Sequence, residues 1–504
     1  MLRDHAPVVI EEFKGLWKRG DADEAPIDHF TDCENVKYIP GGVTVRDGID
    51  PFQDQLTHLG NVLRIYNYTL QTGDTLLVLV EGGDIYHVVS DTVTHGPILS
   101  IPAMTDFGFV PIAGRAYITP FNSTAITGGD TNEIGLQNNF LYVYKGDGTA
   151  ARKAAGPPPS GSALVATFGA SGFSDLGLHI FAVVYETDTG FLTALGPEIF
   201  AVATSVNEAL GYNISNIPVS PDSYVTKRHI VATKAIIDYN GDQDGYQFFF
   251  VPEGNIDNNV DTTKDVAFFD IDLLEDASHL IDNFTEIPAG VALATYNGRL
   301  ILTTEYENIS LVRVSHEGEP EAIDQVDGLV VIPLDGTPIT NAIEFRDVLY
   351  LFKKTQTYAV TDNADLPSTW IPVPIDTGIG TGVHGIATIL DSQGVNTDYL
   401  AIASYLGVIL FNGSYLKPEA SFKIATLWLE LNRNEFRKIQ MVNDTIHQIL
   451  YMCLPDGRIL FADYSEALTP VDVKWGLWSF DLEVSTIAMT QTDKLVLGTF
   501  VEEP

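Results

Sequence analysis

The sequence has few cysteines and no long hydrophobic run. Its 504 residues include two cysteines, Cys33 and Cys453, which cannot form a disulfide framework. Such cysteine usage is typical of a protein that folds in a reducing compartment. The first twenty residues carry charges throughout, so we expect no secretion signal. No run reaches the roughly 18 apolar residues of a membrane-spanning helix, which predicts no membrane anchor.

Basic residues are scarce as well. The chain has 28 Lys and Arg against 67 Asp and Glu, which gives a formal net charge of −39. Nucleic acids and anionic lipids are bound by clustered Lys and Arg, so this surface repels both. The acidic residues are scattered along the chain and do not form the block that is typical of a disordered acidic tail.

Signatures of common enzymes are missing from the sequence. It contains neither Gly-x-Ser-x-Gly nor His-Glu-x-x-His, and the repeated Ser-x-Asp-x-Gly-x-x-Trp of sialidase-type propellers is absent. The 11 histidines are scattered and do not stand at metal-ligand spacing. We therefore predict no catalytic residues, no cofactor and no enzymatic activity. A carboxylate pair for glycoside cleavage stays open, because the many acidic residues would hide one.

The positive signal is a repeat of paired short strands. Val348, Tyr350 and Phe352 alternate with Leu349 and Leu351, so both faces of that strand are apolar and both must be covered. Similar units start near Leu300, Val348, Tyr399, Gln448 and Leu495. A spacing of about fifty residues is typical of a four-stranded propeller blade. Blades bury their faces by stacking in a ring, which predicts an all-β propeller of about six to seven blades.

Residues 156–161, Gly-Pro-Pro-Pro-Ser-Gly, interrupt this repeat with a stiff hinge. Short strands with frequent turns follow it, which predicts an inserted β-sandwich of the immunoglobulin or fibronectin type. The predicted organisation is an N-terminal arm and closing strand (1–50), the first blades (51–156), the sandwich (157–287) and the remaining blades (288–504). We expect the strand at 43–49, or one near it, to complete the last blade, at 495–500. Trp370, Trp428, Trp475 and Trp478 are interpreted as core between blades.

Two loops partly match binding motifs. Residues 380–385, Gly-Thr-Gly-Val-His-Gly, have the glycine spacing of a dinucleotide loop, but a strand follows them, which favours a tight bend. Asn240, Asp242 and Asp244 stand at calcium-loop spacing. The twelfth position is Val251 where a Glu is required, and Asp238 could substitute for it. A polar hairpin turn explains the same residues. The Gly- and Asn-rich stretch 122–139 is predicted to be a long exposed loop.

Two groups of short motifs resemble the tail nozzle or tail tubular propeller proteins of short-tailed phages. The N-terminal group is Phe13-Lys-Gly-Leu-Trp17, His29, Phe30, Asn35, Val36, Gly41, Gly42 and Arg46-Asp-Gly48. The C-terminal group is Asn297-Gly-Arg-Leu300, Ser315, Arg346-Asp-Val-Leu-Tyr-Leu-Phe352, Gly378-Ile-Gly380 and the 407–413 segment. The resemblance covers most of the chain outside the sandwich and transfers no catalytic residue, because this family is structural.

The resemblance implies a homo-oligomeric ring, with six copies expected, in a virion tail assembled in the host cytoplasm. This ring would hold back genomic DNA and conduct it during ejection without specific binding. Its expected partners are a tail adaptor and tail fibres or tip proteins. Two alternatives stay open: a receptor- or glycan-binding propeller of the tail tip that uses the 122–139 loop, and an enzyme acting on capsule or cell-wall sugar.

Overall fold

The structure is a computed structural model, and the description below concerns the residues that it places. These are residues 14–19, 25–26, 28–31, 34–39, 42–48, 60–69, 75–90, 92–125, 131–160, 164–206, 209–236, 246–280, 286–333, 335–390, 397–414, 416–467 and 469–500. The fold is all-β: seven small antiparallel sheets form the blades of a propeller, and two further sheets form an inserted sandwich, counted over these residues.

The N-terminal arm, residues 14–48, and the first two blades precede the sandwich. The arm carries the hairpin β1 (Val36–Ile39) and β2 (Gly42–Val45). Blade 1 comprises β3 (Val62–Asn67), β4 (Leu76–Val80), β5 (Asp84–Val88) and β6 (Thr94–Ser100). Blade 2 comprises β7 (Asp106–Ile112), β8 (Arg115–Ala125), β9 (Thr131–Gly135), β10 (Tyr142–Tyr144) and β11 (Arg152–Lys153).

Blade 1 shows why these residues form strands. All five residues of β4, Leu-Leu-Val-Leu-Val, are buried, because sheets cover both of its faces. The tight turn into β5 uses Gly83, whose φ of +86° is the left-handed conformation that glycine tolerates. A Cβ at this position would lie 1.9 Å from the carbonyl oxygen of Ile101, so the turn also requires a residue without a side chain.

The sandwich lies between blades 2 and 3. Its strands are β12 (Val165–Ser171), β13 (Gly177–Thr187), β14 (Ile199–Ala203), β15 (Leu210–Ser215), β16 (Val225–Thr233), β17 (Phe248–Ile256) and β18 (Thr263–Val266). One sheet has the order β12-β15-β18 and the other β14-β13-β16-β17, and Phe181, Tyr212 and Phe268 lie in the core between them.

The predicted propeller with an inserted β-sandwich is confirmed, but the strand order is not that of an immunoglobulin domain. There the first strand pairs with the second, whereas here the first strand, β12, pairs with the fourth, β15. This pairing places Phe168 opposite Tyr212, with ring centroids 4.9 Å apart, and closes the core from that side. Such a long-range contact is not visible in the spacing of turns along the sequence.

Five further blades complete the ring. Blade 3 comprises β19 (Leu293–Tyr296), β20 (Arg299–Thr303), β21 (Leu311–Val314) and β22 (Leu329–Val331). Blade 4 comprises β23 (Ile339–Phe345), β24 (Val348–Lys353), β25 (Thr357–Val360) and β26 (Val373–Asp376). Blade 5 comprises β27 (Ile386–Leu390), β28 (Thr397–Ser404), β29 (Gly407–Phe411) and β30 (Leu416–Lys417). Blade 6 comprises β31 (Gln440–Asp444), β32 (Ile449–Cys453), β33 (Ile459–Asp463) and β34 (Lys474–Trp478). Blade 7 comprises β35 (Val484–Met489) and β36 (Leu495–Thr499).

Helical structure is confined to short connections in the described part of the chain. The α-helix α1 spans Ala425–Glu430. The 3-10 helices are Asp270–Asp272, Ser278–Leu280, Pro367–Thr369, Pro418–Ile424, Arg433–Lys438 and Pro470–Asp472.

The first strands of the blades lie towards the axis, and most of them contact the first strands of both neighbouring blades. β3 contacts both β7 and β35, β19 contacts both β7 and β23, and β31 contacts both β27 and β35. Between blades 4 and 5 the Asn341 amide donates to the carbonyl of Val383. Apolar side chains fill the spaces between blades, as where Phe352 and Phe411 share one buried cluster.

The predicted partner of the closing strand was wrong. β2 pairs with β1, and β36 pairs with β35 in the described residues. The arm instead covers the outer edge of β34: the amides of Leu16 and Asn35 donate to the carbonyls of Trp475 and Leu477. An open edge strand presents unpaired backbone groups, and the arm satisfies those of blade 6. The ring itself closes through β3 against β35.

Deleting residues 1–50 tests the role of the arm. We expect the truncated chain to lose its sharp thermal transition, because Leu16 is buried in the core of blades 5 and 6 and Tyr38 packs between blades 6 and 7. Deleting residues 1–13, which precede the described contacts, is the matched control and should leave the melt sharp. The arm would be dispensable if both truncations melted cooperatively at the temperature of the full chain in calorimetry.

Candidate functional site

The axis of the propeller holds a buried ion pair between blades 1 and 2. Arg64 on β3 is 5% exposed and donates to both carboxylate oxygens of Asp106, at 3.0 and 2.7 Å. Its third bond, of 2.9 Å, goes to the side-chain oxygen of Gln440 on β31. Burial opposes the ionisation of Asp106, but Arg64 and His384 outweigh it and hold the pKa of this carboxyl well below its usual range.

His384, just before β27, connects blade 5 to the same pair. Its Nε2 lies 2.9 Å from Asp106 Oδ2, and its Nδ1 lies 3.0 Å from the hydroxyl of Tyr66. Burial, together with the charge of Arg64, lowers the pKa of the imidazole. Both ring nitrogens are thus within hydrogen-bond distance of polar partners, and the Tyr66 hydroxyl donates its own proton to the carbonyl of Phe107 at 3.0 Å.

Gln440 joins the first blade to the last two. Its oxygen accepts from the hydroxyl of Thr486 at 2.5 Å and from the amide of Ile487 at 3.2 Å, both on β35. Its nitrogen donates to the carbonyl of Ile65 at 3.2 Å. The Thr486 hydroxyl also accepts from the amide of Ile65 at 3.1 Å. This side-chain network closes the ring where blade 1 meets blades 6 and 7.

A hairpin of blade 2 covers the network. β8 continues past the start of β7 and pairs with β9 from Phe121 to Ala125. Phe121 is buried against Val291 of the blade 3 approach and Val383 of blade 5. At Gly135 a Cβ would lie 2.0 Å from the carbonyl oxygen of Ala289, so the hairpin lies directly against the segment that leads into blade 3.

This hairpin corrects the prediction of a long exposed loop at 122–139. Its described residues include strand up to Ala125 and from Thr131, and Leu136 is 6% exposed. The abundance of Gly and Asn indicated an exposed loop, whereas Gly135 lies close against the backbone of Ala289. Residues 126–130, between the two strands, lie outside the described residues.

Glu133 on β9 places a carboxylate inside this covered region. It is 3% exposed, and its nearest cation is the Nε of Arg437, which lies 3.6 Å from Oε1. Neither carboxylate oxygen has a hydrogen-bond partner among the described residues. Burial raises the pKa of Glu133, with Lys354 and Arg437 opposing that shift. Arg437 and Lys354 are thus the cations that face this carboxyl from outside the hairpin.

A small cavity of about 220 Å³ lies within the ring of inner strands. Its polar lining comes from Tyr66, Asn341, His384 and Gln440, and apolar side chains such as Ile343 and Met441 complete the wall. Tyr66, His384 and Gln440 already bond to other protein groups through the network. A carboxylate beside an imidazole is a general-base arrangement, but here Arg64 neutralises the carboxylate and both ring nitrogens are engaged. The arrangement is suited to holding blades together.

A second buried ionic cluster fixes the sandwich to the propeller. Arg152 on β11 donates to Asp188 of the sandwich at 3.0 Å and to both oxygens of Glu321, between β21 and β22 of blade 3, at 2.7 and 2.8 Å. Lys145 adds a 2.6 Å ion pair to Asp188, and Thr189 donates to Glu321 at 2.5 Å. Glu321 is 1% exposed, so the centre of this junction is buried, while Lys145 lies at its edge.

Of the two binding motifs that the sequence suggested, only the 380–385 loop contributes a residue to the network at the axis. The calcium candidates Asp238, Asn240, Asp242 and Asp244 lie outside the described residues. Over the described residues no group of three or more His, Cys, Asp and Glu side chains is placed to hold a metal. The 380–385 loop leads into strand β27, as predicted, and its His384 joins the axial network. Arg64, Asp106 and Gln440 were missed, although a charged residue inside an apolar strand such as Val-Leu-Arg-Ile-Tyr-Asn was a usable signal.

Comparison with known proteins gives only distant similarity. No protein-family model and no curated protein matches the chain. Among solved structures, apo AztD from Citrobacter koseri is 10% identical over 87% of this chain and 89% of that one, with a TM-score of 0.33. Hsv2 from Kluyveromyces lactis is 12% identical over 83% of this chain and 97% of that one, with a TM-score of 0.29.

Raptor from Chaetomium thermophilum is 12% identical over 40% of this chain and 18% of that one, with a TM-score of 0.26. The chain thus spans under a fifth of that protein's length. All of these scores are low, so the fold assignment rests on the sheets of this chain itself. In the described part of the chain, none of the helices has the length and apolar character needed to cross a membrane.

Asp106→Asn should destabilise the protein by about 3–5 kcal/mol at pH 7, because it leaves the buried Arg64 without its counter-charge. The measurement is urea-induced unfolding. Asp47→Asn is the control, since Asp47 forms an exposed ion pair with Lys37 that contributes little.

The native pKa of Asp106 is lowered, so its stabilisation is present above about pH 4 and is lost as the pH falls further. The variant should therefore lose less stability in acid, and equal unfolding midpoints for D106N and D47N would contradict the account.

Proposed function

We propose that this chain is a structural subunit of a phage tail. Copies of it form a homo-oligomeric nozzle or hub ring that retains genomic DNA and then conducts it during ejection. The sequence resemblance to tail nozzle proteins supports this proposal, and so does the way the chain is locked into one body. Six copies, a tail adaptor above the ring and tail fibres or tip proteins as neighbours belong to the proposal, as does assembly in the host cytoplasm.

The observation that carries the proposal is the junction around Arg152. A buried cluster with two acceptor carboxylates, Asp188 and Glu321, fixes the sandwich on blades 2 and 3. Removing either partner from such a pair costs several kcal/mol, so the two domains move together. A fixed domain angle is what a closed ring of identical subunits requires, because each copy must repeat the same rotation. The proposed role is therefore architectural and involves no catalysis.

Charge supports the same role. The sandwich, residues 157–287, carries 19 Asp and Glu against 4 Lys and Arg, within a chain whose net charge is −39. Each phosphate contact made by Lys or Arg strengthens DNA binding through counterion release. A channel wall with few such contacts lets DNA slide. Transient passage of DNA without specific binding is thus the expected behaviour of the ring.

The alternative, a receptor- or glycan-binding propeller at the tail tip, named the 122–139 loop as an example of a contacting loop. The described part of this segment belongs to the hairpin over the axis, where Glu133 and Leu136 are buried. This segment therefore gives the alternative less support than an exposed loop would.

Mass measurement by light scattering, combined with negative-stain imaging of the purified wild-type protein or the intact particle, tests the proposal. We expect closed rings of identical subunits with an axial hole, together with negligible affinity for duplex DNA at physiological salt. A monomer at all concentrations that binds host polysaccharide would contradict the proposal. Tight DNA binding with a steep salt dependence would contradict the account of the channel wall.

A further inference from the structure

The sandwich ends in an exposed apolar surface, here called the apolar tip, formed by Phe173, Leu176, Phe269 and Ile271. The rings of Phe173 and Phe269 stack with centroids 4.0 Å apart, although both residues remain about 40% exposed. Ile271 beside them is 78% exposed. Exposed aromatic side chains held in a fixed pair, rimmed by polar residues, mark an interaction surface.

The rim of the apolar tip is acidic. Asp175 accepts from the amide of Asp270 at 2.6 Å, and Asp272 accepts from the amide of Phe269 at 2.9 Å. These bonds hold the two tip loops in shape. Glu275 lies close by, where it lines the same groove as Asp272. A surface that fits this tip must therefore be apolar at its centre and positively charged around it.

Blade 5 carries a surface of that kind, here called the blade-5 patch. Its apolar residues are Leu406, Phe422 and Leu429, which are 66%, 38% and 66% exposed. Arg19 of the arm supplies a cation beside Phe422, and Arg433 follows α1 by three residues, with Glu430 as an acidic residue at the end of α1. The guanidinium of Arg19 lies 3.1 Å above the ring of Phe422. The patch thus carries a cation directly on its apolar surface, on a chain that is otherwise strongly acidic.

The blade-5 patch is held in place by contacts of its own. The indole of Trp428 donates to the carbonyl of Ser404 at 2.8 Å, which fixes α1 against β28 and the Leu406 turn. The amide of Lys18 donates to the carbonyl of Lys423, and the amide of Thr426 donates back to the carbonyl of Lys18. The arm that covers blade 6 therefore also builds this surface.

We propose that the apolar tip of one copy docks on the blade-5 patch of the next copy. Two chains of charge −39 repel each other, so association requires a local region where this repulsion is reversed. The acidic rim and the basic patch supply that region, and the apolar centres supply the buried area. Because the two surfaces differ, the contact is head-to-tail and generates a ring when the rotation closes. This inference rests on the proposed function and identifies the surfaces that assemble the ring.

Site-directed photo-cross-linking tests the contact directly. A benzophenone amino acid replaces Ile271 at the apolar tip, and in the matched control it replaces Val260. Val260 is 74% exposed and precedes β18, whereas Ile271 follows that strand, so the two residues lie towards opposite ends of it. We expect illumination of the Ile271 variant to link copies in a ladder, with mass spectrometry placing the links in peptides that contain Leu406, Phe422 or Leu429. The Val260 variant should not give these links.

Exchanging the charges of the two surfaces provides a second test of the contact. Asp272→Lys with Glu275→Lys, or Arg19→Glu with Arg433→Glu, should each lower the ring fraction at least tenfold, and the four changes together should restore it. Each variant must keep the wild-type melting curve. Wild-type rings whose links map elsewhere, or that survive both double changes, would overturn the inference and leave the proposed function standing. A wild-type protein that never forms rings would overturn both.

Discussion

Every blade of this protein has two apolar faces, and both must be covered. β4 is buried along its whole length, and the inner strands of blades 1, 2, 3, 6 and 7 contact their neighbours on each side. At about 25 cal/mol per Å² of apolar surface removed from water, an uncovered blade face would outweigh the marginal stability of a typical domain. A ring is the arrangement that leaves no such face. The N-terminal arm and the Gln440 contacts follow from the same constraint, because they cover the edge and the junction that the ring leaves.

Buried polar groups fix how adjacent blades, and the sandwich, are placed relative to one another. The Arg64–Asp106 pair and the Glu321 junction fix one register and one domain angle through directional bonds. Buried ion pairs are costly to break singly, so each of them turns adjacent blades or domains into one unit. The hairpin of blade 2 adds a third such connection across the axis. These contacts join the hairpin, the sandwich and the blades, as the proposed role in an assembly requires.

The sequence predicted what local periodicity encodes. The alternating residues around Val348 and the fifty-residue spacing indicated blades, and the prolines at 157–159 indicated the insertion. Trp370, Trp428 and Trp475 are buried, as expected. Contacts between distant segments could not be predicted from local patterns. The arm on β34, the β12–β15 pairing and the hairpin over the axis each depend on which surfaces meet after folding. The axial network joins residues from positions 64 to 486, and no local pattern links them.

Amide hydrogen exchange of the wild-type chain tests most directly whether the hairpin, the sandwich and the blades form one body. The account predicts that the amides of Ile134 and Gly135 in the hairpin and of Ala155 beside Glu321 exchange as slowly as those of the buried strand β4. Rapid exchange at these positions, with β4 still protected, would show that the hairpin and the junction open independently and would contradict the account.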